Sequence, residues 1–271
     1  MRNFIAPAMA GLAVAVPAFA QEAMFTQAAT MPSPGSTIVR TQFMWYRYGS
    51  HPVAGTERTD VLEPSTIIAY GVDRGLAAYL DVPVSFVHED TPDGGNGHEG
   101  LDNLDLMLKW RVYKHDSGGV DTVRVALLGG VEMSFEDEAA VHPKVGAVLT
   151  MVRGRHGFNV DAIYHWTTDG TEADNFGAEG PADALAMNTS YLYRIAPTQY
   201  TSESTGAWYV TAEINALYET NGDLELRWAP GLMYEGREFA FELMAQFPLW
   251  EDVDRRATLE FAVGFGFRFL F

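Results

Sequence analysis

Residues 256–271 read RATLEFAVGFGFRFLF, and their alternation decides the fold. Leu259, Phe261, Val263, Phe265, Phe267, Phe269 and Phe271 fall on one side of a period-two repeat. Thr258, Glu260, Ala262, Gly264, Gly266, Arg268 and Leu270 fall on the other. Such a period is that of a β-strand, whose successive side chains point to opposite sides of the pleat. One face is wholly apolar, while the opposite face carries a Glu, an Arg and two Gly. Strands of soluble sheets run to about 5–6 residues. A membrane-spanning strand needs about 9–11 and must belong to a closed barrel, because lipid offers no partner to an open backbone edge. The expected fold class is therefore all-β, a transmembrane antiparallel up-and-down β-barrel.

Working back from that strand, the chain supplies enough others for about twelve, an even number that puts both termini on one side of the membrane. Residues 37–49 set Val39, Phe43 and Trp45 against Arg40 and Gln42, and residues 60–72 form the weakest strand, interrupted by Pro64. The pattern then sharpens. Leu76, Ala78, Leu80, Val82, Val84 and Phe86 alternate with Ala77, Tyr79, Asp81, Pro83 and Ser85. Leu104, Leu106, Leu108, Trp110 and Val112 alternate with Asp105, Met107, Lys109, Arg111 and Tyr113. Six further segments repeat the alternation, beginning near Thr122, Val145, Phe158, Leu185, Trp208 and Leu224, and Phe239–Leu249 leads into the last strand. Turns at 72–75, 116–120, 153–157 and 235–237 are short. Connections at 88–100, 136–142 and 168–183 are expected to be long loops on the opposite side. Two connections break the rule: 197–205 is long where a short turn is expected, and 220–222 is short. Tyr193, Trp208, Tyr234 and Phe271 gather near one set of strand ends, and Trp45, Phe86, Tyr164, Trp166 and Trp250 near the other, as interfacial aromatic belts require.

The N-terminus has another character. Arg2, an Ala- and Val-rich run from Phe4 to Pro17 and the small-residue site Ala18-Phe19-Ala20 read as a secretory signal peptide over residues 1–20. Residues 21–36 (QEAMFTQAATMPSPGS) have no period and two Pro, and form an irregular leader that hangs below the barrel or tucks into it as a plug. No stretch reaches the roughly 20 apolar residues of a membrane helix. The chain has no Cys, which removes disulfides, thiolate nucleophiles and thiolate metal sites. A net charge of −18 argues against nucleic acid as a partner.

The inward face carries the candidate site. Parity places Lys109, Arg111, Arg124, Arg227 and Arg268 there, with Glu132, Asp161, Glu213, Glu225, Glu242 and Glu260. Enclosed charges of both signs pair or stay hydrated, so each singly reads as a structural ion pair, and the set reads as a polar pathway that selects a solute. No catalytic residue or metal site is expected. His88, Glu89, Asp90, His98 and Glu99 lack the fixed oxygen spacing of a Ca²⁺ loop. His165 with Ser190 or Ser134 is the one pairing that admits a barrel-embedded lipid hydrolase, but no hydrolase motif accompanies it. Pro83, Pro230 and Pro248 each remove a ladder hydrogen bond, and Pro230 is the best placed to open the wall sideways.

Several segments together resemble a family. LDNLDLMLKWRVY (101–113), LELRWAPGLMYEGREFAFELMAQFPLW (224–250) and the closing GFGFRF (264–269) are similar to motifs of the outer-membrane "transporter" group also labelled the MetA-pathway of phenol degradation family. Asn103 stands where that family's strand usually has Gly. The aromatic ending at Phe271 also resembles the C-terminal strand through which outer-membrane barrels meet their assembly machinery. The resemblance implies an outer-membrane channel for passive uptake of small molecules, aromatic or apolar ones among them, with lipid around it and no cofactor. A closed structural or partner-docking barrel is the other alternative. Gating would fall to the leader or to the 88–100 and 168–183 loops.

Overall fold

The computed structural model describes residues 21–271 except 53–54, 93, 119, 136–139, 169–181 and 202, so the expected signal peptide and most of the 168–183 loop lie outside the described residues. Among the described residues thirteen strands run in order: β1 (Thr37–Tyr48), β2 (Arg58–Asp73), β3 (Leu76–Thr91), β4 (Gly94–Leu101), β5 (Leu104–Ser117), β6 (Asp121–Ser134), β7 (Ala140–Arg153), β8 (His156–His165), β9 (Ala184–Ala196), β10 (Gly206–Glu219), β11 (Leu224–Gly236), β12 (Phe239–Asp252) and β13 (Leu259–Leu270). Every pairing is antiparallel, and apart from β4, which pairs with β3 alone so that β3 and β5 become neighbours, strands adjacent in sequence are adjacent in space. The seam closes where β1 pairs with β13 from Ile38↔Leu270 to Tyr48↔Leu259. Thr37 and Phe271 exchange backbone hydrogen bonds at its end, at 3.0 and 2.8 Å. All strands but β4 make the wall, so this is a closed 12-strand barrel.

β4 replaces an expected loop. β3 pairs with β5 only from Leu76↔Trp110 to Asp81↔Asp105. Beyond that it leaves the wall and pairs with β4 from Val84↔Leu101 to Thr91↔Gly94. The segment expected as a long loop at 88–100 is thus mostly a hairpin. Its strand β4 is exposed along its whole length, because it is composed of Gly, Asn, His and Glu with Leu101 as its single apolar residue.

Alternation sorts the wall as the pleat requires. Leu106, Leu108, Trp110, Val210, Leu243, Val263, Phe265 and Phe269 are exposed on the outside, while Ala77, Lys109, Ala126, Asp161, Glu213 and Arg268 are buried within. Large apolar side chains outside and charges inside invert a soluble protein and match a barrel solvated by lipid. Aromatic pairs mark both rims. Trp208–Tyr234 (5.1 Å) and Tyr234–Phe239 (5.4 Å) lie toward the end that carries the termini. Tyr164–Trp166 (4.8 Å) and Trp45–Phe261 (5.4 Å) lie toward the other.

The prolines sit where the ladder already yields. β2 is continuous through Pro64, which pairs with Phe43 of β1. The β2–β3 ladder skips from Leu62↔Phe86 to Ser65↔Pro83, so the missing N–H faces that gap. Pro248 adjoins a register shift, and the β11–β12 ladder passes from Trp228↔Phe247 to Gly231↔Met244 across Pro230.

One inward assignment needs correction. The β1–β13 register shifts so that Arg47 faces Phe261 while Tyr48 faces Leu259, leaving Glu260 as the extra residue of a bulge. A bulge reverses parity beyond it. Leu259 is accordingly the buried residue, at 1 % exposure, and Glu260 points out to solvent.

Candidate functional site

The protein's own leader lies within the lumen. Residues 21–36 enter from the rim that carries the termini, pass to the middle of the barrel and return to β1. A peptide inside a barrel must find partners for every backbone N–H and C=O, and the inward charges provide them. Glu213, at mid-height on β10, accepts the N–H groups of Met24 (3.0 Å), Phe25 (3.2 Å) and Thr26 (2.7 Å), and the Thr26 hydroxyl (2.6 Å). Asp161 on β8 accepts the Gln27 N–H at 2.7 Å, steadied by the Asn188 amide at 2.9 Å. The Thr150 hydroxyl accepts the Ala29 N–H at 2.8 Å.

Cations take the carbonyls. Arg40 donates to Ala23 O (2.8 Å), Lys109 to Ala28 O (2.9 Å) and Arg268 to Glu22 O (3.0 Å). Asn159 donates to Gln21 O (2.8 Å) and Gln42 to Met24 O (3.3 Å). Acidic groups on N–H and basic groups on C=O are charge-assisted bonds, roughly twice as strong as neutral ones. Packing completes the fit. Met24 meets Met44, Met244, Ala229, Leu259 and Ala262, and Ala29 meets Met107, Ala126, Leu128 and Val148. The wall yields space where the leader comes closest. A Cβ at Gly71 would collide with the Ser33 carbonyl, and one at Gly157 with the Gln21 side chain.

The Glu22 carboxylate is the leader's own contribution. It lies 3.9 Å from Lys109 Nζ and 3.8 Å from Arg268 Nη1, and accepts the Ala28 N–H at 3.1 Å. Burial alone would raise its pKa, but Lys109, Arg268, Arg40 and the Ala28 bond together hold it below the usual carboxylate range. Glu242 joins the same network, 2.8 Å from Arg40 and 3.9 Å from Arg268.

Toward the far rim lie two further clusters. Lys144 bridges Asp105 (2.8 Å) and Glu132. Glu132 also accepts from Asn103 (3.0 Å) and lies 3.7 Å from His165, whose ring meets His142 edge-on at 5.4 Å. Across the bore, Arg256 joins Glu219 (3.3 Å) and Glu225 (3.0 Å), and Arg227 pairs with Glu225.

The inward charges read from the sequence therefore divide by height. Lys109, Asp161, Glu213, Glu242 and Arg268 surround the leader, and Glu132, Glu225 and Arg227 belong to the far clusters. Arg111 and Arg124 sit low on the wall: Arg111 donates to the Arg74 carbonyl, and Arg124 to the Thr122 hydroxyl (3.0 Å) with Asp116 3.5 Å away. Arg40, Lys144 and Arg194 share this inward parity and join the set. Glu22 and Arg256 belong to segments without a period, so alternation gives no sign of them. His165 and Ser190 are not brought together. His165 faces Ala184, whereas Ser190 faces Asn159, six places along β9 and so about 20 Å away at the ~3.3 Å rise of a strand.

No family model matches the sequence, and no curated protein is detectably similar to it in sequence. In structure it is similar to an outer membrane channel from Pseudomonas putida F1, with a TM-score of 0.58 and 10% identity over 89% of this chain and 97% of that one. It is also similar to the β domain of the Bordetella autotransporter BrkA, with a TM-score of 0.50 and 12% identity over 87% of this chain and 99% of that one. Both likenesses are of fold. Together with the lipid-facing exterior they place the chain among outer-membrane β-barrels.

Proposed function

We propose that this outer-membrane barrel is a channel for passive uptake of small molecules, aromatic or apolar ones among them, and that residues 21–36 are its internal gate. The observation that carries this reading is the way the inward charges are used. Glu213, Asp161, Arg40, Lys109 and Arg268 hold the leader through its backbone, and a solute entering the bore would meet those same groups once the leader withdrew. A wall built only to be rigid would pair its charges with one another. The far clusters do so, and the mid-height set does so only in part. In this reading residues 37–271 are the conducting body, residues 1–20 are removed on export, and the C-terminal strand ending at Phe271 engages the assembly machinery.

Single-channel recording of the refolded chain tests the proposal. The protein beginning at Gln21 should show rare, brief openings, and a variant lacking residues 22–33 should show a steady conductance. A silent baseline from both, with the barrel intact by its heat-modifiable gel mobility, would favour a closed structural barrel and overturn the channel reading.

A further inference from the structure

At the rim carrying the termini, the β5–β6 and β7–β8 turns and the β9–β10 connection enclose an open cleft of about 440 Å³. Its lining includes Gly118, Asp121, Arg155, Arg194, Thr198 and Tyr200. Arg194 is the unusual member. It is 4 % exposed, its guanidinium stacks on the Tyr200 ring at 4.0 Å, and its Nη2 reaches the Gly154 carbonyl at 3.4 Å. Nε and Nη1 have no hydrogen-bond partner among the described residues. Nor does any described carboxylate form an ion pair with it, although the chain carries 36 acidic residues against 18 basic ones. Asp121, the acidic residue in the lining, is engaged by the Gly154 N–H at 2.7 Å. Arg155 is held in a similar way, stacked on Tyr193 at 4.6 Å and donating to the carbonyls of Arg194 (2.8 Å) and Ile195 (3.3 Å).

A buried cation with idle donors demands an explanation, since an uncompensated charge out of water is costly. Two guanidinium groups held over tyrosine rings are already ordered, so an arriving ligand loses little entropy. We propose that this cleft is a binding site for one oxyanion, a carboxylate or a phosphate, that completes the coordination of Arg194 beside Arg155, with the Tyr200 ring offering an apolar face to the remainder of the molecule. The site is apart from the mid-height groups that hold the leader, and it binds whether or not the pore conducts. Two sources carry this chemistry: a small aromatic carboxylate in solution, and the phosphate of a lipid headgroup at the rim.

Calorimetric titration of the refolded barrel in zwitterionic micelles tests the assignment, with benzoate, inorganic phosphate and short-chain phosphatidylglycerol as separate probes. Saturable binding of either soluble anion assigns the site to a solute; saturation by the lipid alone assigns it to a headgroup. In either case Arg194→Gln should weaken binding at least tenfold, with a smaller loss for Arg155→Gln. Arg58→Gln, at the opposite end of the barrel, should change nothing. Should Arg194→Gln fail to fold, Arg155→Gln and Tyr200→Leu carry the test. Failure of all three probes to bind, or binding unchanged in the cleft variants, overturns the proposal.

Discussion

At the scale of single residues, Glu213 is the group on which the leader most depends. Its carboxylate receives three consecutive backbone N–H groups and a hydroxyl. Glu213→Ala strands these four donors at a cost of roughly 4 kcal/mol or more, since each orphaned buried donor costs about 1–3 kcal/mol. The absence of Cys from the chain makes the outcome easy to read. A thiol placed by Ala28→Cys, at a position with no exposure, should react slowly with a maleimide in the parent and at least about tenfold faster beside Glu213→Ala. Glu22 supplies the pH dependence. Its pKa is depressed in the folded state, so its contribution is fully present above the ordinary carboxylate value of about 4.3 and is lost as pH falls through the lower folded value. Open probability should rise below about pH 4, and Glu22→Gln should flatten that rise in single-channel records. Legibility at this scale followed the period. Lys109 and Asp161 could be placed inward because the alternation is unbroken around each of them, the β5 irregularity coming only after Arg111, whereas Glu260 could not be placed correctly because a bulge carries no compositional mark.

Among the elements, β13 was readable from its Phe alternation alone, and β4 was not readable at all. GGNGHEGL has neither the apolar alternation nor the β-branched residues by which a strand is recognised. It is a strand because the end of β3, free of β5 beyond Asp81, presents an unpaired edge that the following residues fold back to satisfy. β4 buries nothing, so its loss should cost the wall little. Replacing residues 86–101 by a short Gly–Ser turn should leave the heat-modifiable mobility unchanged and the unfolding midpoint within a few degrees, about 1 kcal/mol or less. The leader was legible only as a choice between hanging free and tucking in. Its sequence holds few of the groups that decide, because those groups belong to the strands around it.

For the whole molecule, the exterior is the dominant energetic feature. Leu108 projects outward from the middle of β5 and is 51 % exposed, which is a liability in water and a gain in lipid. Leu108→Arg should lower stability by about 2–4 kcal/mol if that residue lies near the bilayer midplane, measured by urea unfolding in vesicles. The same change at Glu99 of the protruding hairpin should have no measurable effect on that midpoint. The two aromatic rims bound the belt on which this expectation rests.

The path of residues 21–36 carries one more consequence. Gln21 lies beside Gly157 near the start of β8, and Ser36 joins β1 at the same mouth, so the segment makes a there-and-back excursion with both feet on one threshold. In the gating proposed above it is drawn out like a cork on a short string: nothing has to be threaded past it, and no rung between staves has to part. Emptying and refilling the bore would then be a reversible movement of a dozen or so amino acids, repeatable indefinitely in a cylinder that never comes apart.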